Sequence, residues 1–147
     1  MPRGRSRCRS GNSAFIPYLG RVPLTPYLCV ADARAAIEWY VDVLGAEVVY
    51  APIEMPDGRV GHVELAVGDA RWMMADEFEE AGVAAPDATR GAAVSLHLEV
   101  DDVDALAARV TDAGTAMDRG PEDSGPAGRV AVFRDPFGHR WFLNQPD

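Results

Sequence analysis

The chain has 147 residues, a formal net charge of −9 and no lysine, a length that suits one domain with a real core. No apolar run reaches the roughly 20 residues of a membrane-spanning helix, and so acidic a chain argues against nucleic-acid binding. The two cysteines, Cys8 and Cys29, make neither a disulfide framework nor a zinc-ligand spacing, which fits a reducing cytoplasm.

Residues 1–21 hold Arg3, Arg5, Arg7, Arg9 and Arg21 and read as a basic, disordered tail. They lack the continuous apolar segment of a signal peptide. Nine arginines then face all 23 acids, a net of −14 for the remainder. A first strand is predicted over Leu24–Val30, with Pro26 suiting an edge or an irregular start. Asp32 offers a helix N-cap. Ile37, Tyr40, Val41 and Leu44 recur at helical spacing until Gly45 stops the helix. Strands follow at Ala46–Ala51, Val60–Val67 and Arg71–Ala75, with turns at Pro56-Asp57-Gly58 and Gly68-Asp69.

After a connector at 77–92 the pattern restarts. Ala93–Val100 is a strand, Asp101 or Asp102 caps a helix, and Val103, Leu106 and Val110 form its buried stripe before Gly114. Thr115–Arg119 is a short strand, and a Gly/Pro-rich loop from Gly120 to Gly128 leads into a hairpin. That hairpin runs Val130–Phe133, turns at Asp135-Pro136-Phe137-Gly138 and resumes at Trp141–Leu143. The second half repeats the first at about seventy residues: Pro56-Asp57-Gly58-Arg59-Val60 answers Pro126-Ala127-Gly128-Arg129-Val130, and Arg71-Trp72 answers Arg140-Trp141. Two supersecondary units of this kind bury their apolar faces together. The reading is an α+β fold: residues 22–147 form a single domain of two βαβββ repeats, about 22–76 and 93–147, whose mixed sheets curve around a cleft.

Strand alternation sorts the side chains. Val63, Leu65 and Val67 oppose His62 and Glu64; Leu96, Leu98 and Val100 oppose Ser95, His97 and Glu99. One helix per unit covers the apolar face of its sheet. The other face is expected to line the cleft with Thr25, Tyr27, His62, Glu64, Met73, Ser95, His97, Arg140 and Phe142. Aromatic and thioether walls with a few polar groups suit a small organic molecule. Trp72 and Trp141 are expected in the core. Trp39 lies off the main helix stripe, a surface or dimer contact, and His139 is expected to face solvent or to bond at a strand end.

Paired units with these motifs resemble the vicinal oxygen chelate superfamily, the glyoxalase, bleomycin-resistance and dioxygenase fold, and within it the PhnB-like branch. The resemblance rests on Pro26-Tyr27-Leu28 with Asp32 to Tyr40, Pro56-Asp57-Gly58-Arg59-Val60, His62-Val63-Glu64-Leu65, Leu96-His97-Leu98 with Asp101 to Asp104, and Asp135-Pro136-Phe137-Gly138-His139-Arg140-Trp141. It implies metal ligands on the first and fourth strand of each unit. Those positions here are Thr25, Met73, Ser95 and Phe142. A hydroxyl is a weak ligand, a thioether prefers soft ions, and a phenyl ring cannot coordinate.

The resemblance therefore implies a metal-free cleft and no cofactor. It points to a homodimer that binds and sequesters an antibiotic or metabolite, with the acidic body steering cations toward it. The alternative is a glyoxalase- or dioxygenase-like enzyme whose metal or acid/base site has moved to His62, Glu64 and His97.

Overall fold

The structure, a computed structural model, describes residues 23–147; the predicted basic tail lies outside the described residues. Each half carries the same capped helix after its first strand. Asp32 accepts from the Ala35 amide at 3.0 Å, and Asp102 from the Ala105 amide at 2.9 Å. These caps open α1 (Ala33–Leu44) and α2 (Val103–Asp112). A second pair of acceptors ties each helix start to its sheet. Asp76 takes the amides of Ala33 and Val60 at 2.7 and 2.6 Å, and Gln145 takes that of Val103 at 3.0 Å.

The strands are β1 (Tyr27–Cys29), β2 (Glu47–Glu54), β3 (Val60–Val67) and β4 (Ala70–Ala75), then β5 (Ser95–Glu99), β6 (Met117–Asp123), β7 (Arg129–Arg134) and β8 (Arg140–Gln145). They form two mixed four-stranded sheets of matching order, β1-β4-β3-β2 and β5-β8-β7-β6. In each sheet the first strand runs parallel to the last and the other pairs are antiparallel. The fold is α+β with paired βαβββ modules.

Six expectations change in detail. The second strand runs on to Glu54 and the fifth shortens to Ser95–Glu99. The first strand shortens to three residues, because Pro26 has no amide to give; its carbonyl still accepts from the Met73 amide at 2.8 Å. Part of the predicted 120–128 loop continues β6 as far as Asp123. Val41 is exposed, and the buried stripe of α1 runs instead through Ala33, Ala36, Tyr40, Val43 and Leu44. Trp39 packs on Phe133 and Phe137 of the other module, at centroid distances of 6.2 and 6.4 Å.

The two helix-covered faces are not separate cores. Trp72 of β4 meets Trp141 of β8 edge-to-face at 5.4 Å, and the Tyr40 ring of α1 packs on both. Side chains from both sheets and both helices make one continuous cluster. Asp135, buried in the β7–β8 turn, accepts from Tyr40 Oη at 2.5 Å, Trp141 Nε1 at 2.8 Å and the amides of Phe137 and His139. His139 from the same turn donates Nε2–H to the Cys29 carbonyl at 2.9 Å. That turn therefore bolts the second module onto the first. The opposite face of each sheet looks outward.

Two equivalent turns of the repeat differ in how closely they pack. Gly58 (φ 87°) has open space around it, whereas a Cβ on Gly128 (φ 79°) would run into the Gln145 carbonyl. Gly58→Ala should cost about 1–2 kcal/mol for its left-handed backbone alone. Gly128→Ala should cost at least twice that. Chemical denaturation of the two variants checks this, and equal losses would contradict it.

Candidate functional site

Cross-strand register builds the outward face of the first sheet. Tyr27 lies beside Met73, Met73 beside Glu64, and Glu64 beside Tyr50, one residue from each strand. Alternation puts Arg71 and His62 on the same side, while Trp72, Val63 and Leu65 go into the core. Thr25 is half-buried just upstream of β1.

These residues form a hydrogen-bonded chain. Tyr27 Oη lies 3.0 Å from both the Gly61 carbonyl and His62 Nδ1. His62 Nε2 lies 3.0 Å from Glu64 Oε1, and the other oxygen of Glu64 is ion-paired with Arg71. Glu64 is only 8% exposed, whereas Tyr27 is 56% exposed. A carboxylate that deep needs both partners, since an unpaired buried charge is costly. Partial burial pushes the Tyr27 phenol up from its ordinary value. The Tyr50 ring stands edge-on to His62 at 5.4 Å. The single Tyr27 proton serves either Gly61 or His62, so the chain can pass a proton between an exposed phenol and a buried carboxylate.

The outward face of the second sheet has a different chemistry. β5 and β8 pair Ser95 with Arg140 and His97 with Phe142. Arg140 Nη1 donates to Ser95 Oγ at 2.6 Å. The His97 and Phe142 rings stack at 5.6 Å with an interplanar angle of 19°. In cross-strand register, Val132 lies beside Phe142 and Arg119 beside Val132.

The nine predicted site residues thus fall into two sets on two outward faces. Thr25, Tyr27, His62, Glu64 and Met73 belong to one sheet; Ser95, His97, Arg140 and Phe142 belong to the other. Within one chain the shared core keeps the sets apart, and His97 does not join His62 and Glu64. Sequence reasoning missed Tyr50 and Arg71 as site residues. Arg71 had a signal, as the repeat partner of Arg140 two residues before Met73. Tyr50 had none, because β2 pairs with β3 through register shifts that alternation cannot foresee.

The four ligand positions implied by the resemblance do not fit a hard divalent ion. Ser95 is held by Arg140, Phe142 is stacked on His97, and Met73 offers only sulfur. Among the described residues no three His, Cys, Asp or Glu side chains converge. Both ring nitrogens of His62 already have partners. Cys29 is buried, and its thiol is pushed up to about 11 by burial and then by the charges of Glu77 and Asp76. It is therefore no nucleophile near neutral pH. No described helix is long and apolar enough to cross a membrane.

Comparison with known proteins agrees with this architecture. A sequence model of the Glyoxalase/Bleomycin resistance protein/Dioxygenase superfamily matches residues 19–143. An uncharacterized protein of Mycobacterium tuberculosis is 36% identical over 146 residues, covering 97% of this chain and 84% of that protein. Among solved structures, TnmS3, an antibiotic-binding protein from Streptomyces sp. CB03234, is 29% identical with a TM-score of 0.61, covering 86% of this chain and 98% of that one. TioX from Micromonospora sp. ML1 is 23% identical with a TM-score of 0.66, covering 86% and 100%.

Proposed function

Because the chain belongs to the glyoxalase/bleomycin resistance protein/dioxygenase superfamily, we propose that it is a cytoplasmic, homodimeric small-molecule-binding protein that sequesters an antibiotic or metabolite. One observation carries this reading: the outward faces of both sheets carry aromatic, thioether and hydrogen-bonding side chains, with Tyr27 and Tyr50 exposed on one and Ser95 and His97 exposed on the other. A second copy closes each face, setting the Tyr27 side of one chain opposite the Phe142 side of its partner. Val48, Val49, Tyr50, Ile53 and Met55, all exposed on or beside the edge strand β2, give the assembly further apolar surface to cover. The 29% identity to a protein described as antibiotic-binding supports the ligand class.

Thermal-shift screening against antibiotics and aromatic metabolites tests this. A ligand at a hundred times its Kd stabilises the native state by about 2.7 kcal/mol, which for a chain of this size raises the melting point by roughly 5–10 °C. A broad library that leaves the melting point unmoved would sink the reading.

The Tyr27–His62–Glu64 chain favours a second reading, proton transfer on the bound molecule. There Glu64→Gln should stop turnover while binding persists, and a ligand recovered chemically unchanged from the wild-type protein contradicts catalysis.

A further inference from the structure

The outward face of the second sheet carries a positive charge that no carboxylate among the described residues pairs with. Among the described residues, five arginines ion-pair with carboxylates: Arg34, Arg59, Arg71, Arg119 and Arg129. Arg134 spends its guanidinium on the carbonyls of Gly138, Arg90 and Asp87, and Arg109 donates to the Asp42 carbonyl. Arg90, in the connector, and Arg140 pair with no carboxylate among the described residues, and of the two only Arg140 stands on a sheet face. It donates to the neutral Ser95 hydroxyl, which steadies one edge of the guanidinium and, among the described residues, leaves its other N–H groups unspent. In a chain with 23 acidic residues, a cation on a sheet face that no described carboxylate pairs with is a place for an anion from outside.

What stands next to it fixes the kind of anion. Phe142 is two residues along the same strand, on the same face and about 7 Å away. Its ring is stacked with His97, whose residue is exposed. A further flat ring can continue that stack, while Arg140 presents the paired N–H groups that match a carboxylate bidentately. Leu96 and Trp141, the register neighbours between these two pairs, turn into the core and hold the spacing.

We propose that the Ser95–Arg140 and His97–Phe142 pairs form an anchor for a planar aromatic acid, its ring on the His97–Phe142 stack and its acid group on Arg140. This rests on the small-molecule reading above and sharpens it: the ligand is an anion, opposite to what the overall charge would steer in.

Two probes of similar size and opposite charge, 2-naphthoate and 2-naphthylmethylammonium, test this against the full-length protein by calorimetry and amide NMR. Naphthoate is expected to bind at least tenfold more tightly and to shift the amides of residues 95–97 and 140–142. Arg140→Gln, with an unchanged melting point, should bring naphthoate down to the affinity of the cation, and Arg140→Lys should restore only part of it. Equal or tighter binding of the cation overturns the anchor, as does naphthoate binding that survives Arg140→Gln. Naphthoate shifts confined to Tyr27 and His62 overturn it while leaving the small-molecule reading standing. Silence from both probes overturns it too, and the broader library screen then decides that reading by itself.

Discussion

Asp135→Ala is expected to cost about 3–5 kcal/mol of folding stability, since each buried donor left without an acceptor costs about 1–3 kcal/mol and the carboxylate serves several. The Asp135 carboxylate is 4% exposed and accepts four hydrogen bonds. Its loss orphans a phenol, an indole N–H and two turn amides at the junction between modules. Against a usual total of about 5–15 kcal/mol, that is a large share. Urea denaturation reads it directly, and a loss below 1 kcal/mol would mean that the junction is held by ring packing alone. Tyr40→Phe is the milder probe, at about 1.5–3 kcal/mol for one bond to a charged acceptor.

The same pair sets an alkaline limit. Burial, and then the charge of Asp135, hold the Tyr40 phenol well above its ordinary value of 10.0. A group whose folded value is raised contributes its full stability below the unfolded value and loses it as pH climbs toward the folded one. Stability should therefore fall steeply above pH 10, and Tyr40→Phe should flatten that fall.

Substitutions on the two outward faces should both weaken binding of one and the same ligand. Tyr27→Ala removes an exposed ring from the first sheet, and Phe142→Ala removes half of the ring stack from the second. Each should weaken a ligand found by thermal shift at least tenfold, about 1.4 kcal/mol, while leaving the common core untouched. The two side chains sit on opposite outer faces of one chain. A site confined to a single chain would respond to one substitution and ignore the other.

Much of this was readable before any coordinates. The seventy-residue repeat, the Asp32 and Asp102 caps, the turn at Asp135 and the inward Trp72 and Trp141 all follow from local chemistry, since each depends on neighbours within one module. Alternation also assigned His62, Glu64, Met73, His97 and Phe142 to their faces. What local chemistry does not contain is how the modules meet. Tyr40 reaches Asp135 across 95 residues, and Trp39, off the stripe of its own helix, packs on the second module. Those contacts decide that the helix-covered faces join and the polar faces part. The Glu64–Arg71 pair is halfway between: alternation places both residues on one face, but only the β3–β4 register makes them neighbours.

Mixed dimers test the central claim most directly. Tyr27→Ala and Phe142→Ala chains, each binding at least tenfold more weakly alone, are unfolded together, refolded and titrated with the same ligand. If two copies build the cleft, a dimer of one chain of each kind keeps one cleft with Tyr27 and Phe142 both intact, and binding returns at one ligand per mixed dimer. A mixture that binds no more tightly than the separate variants although mixed dimers have formed, or a protein that sediments as a monomer with ligand bound, would contradict it.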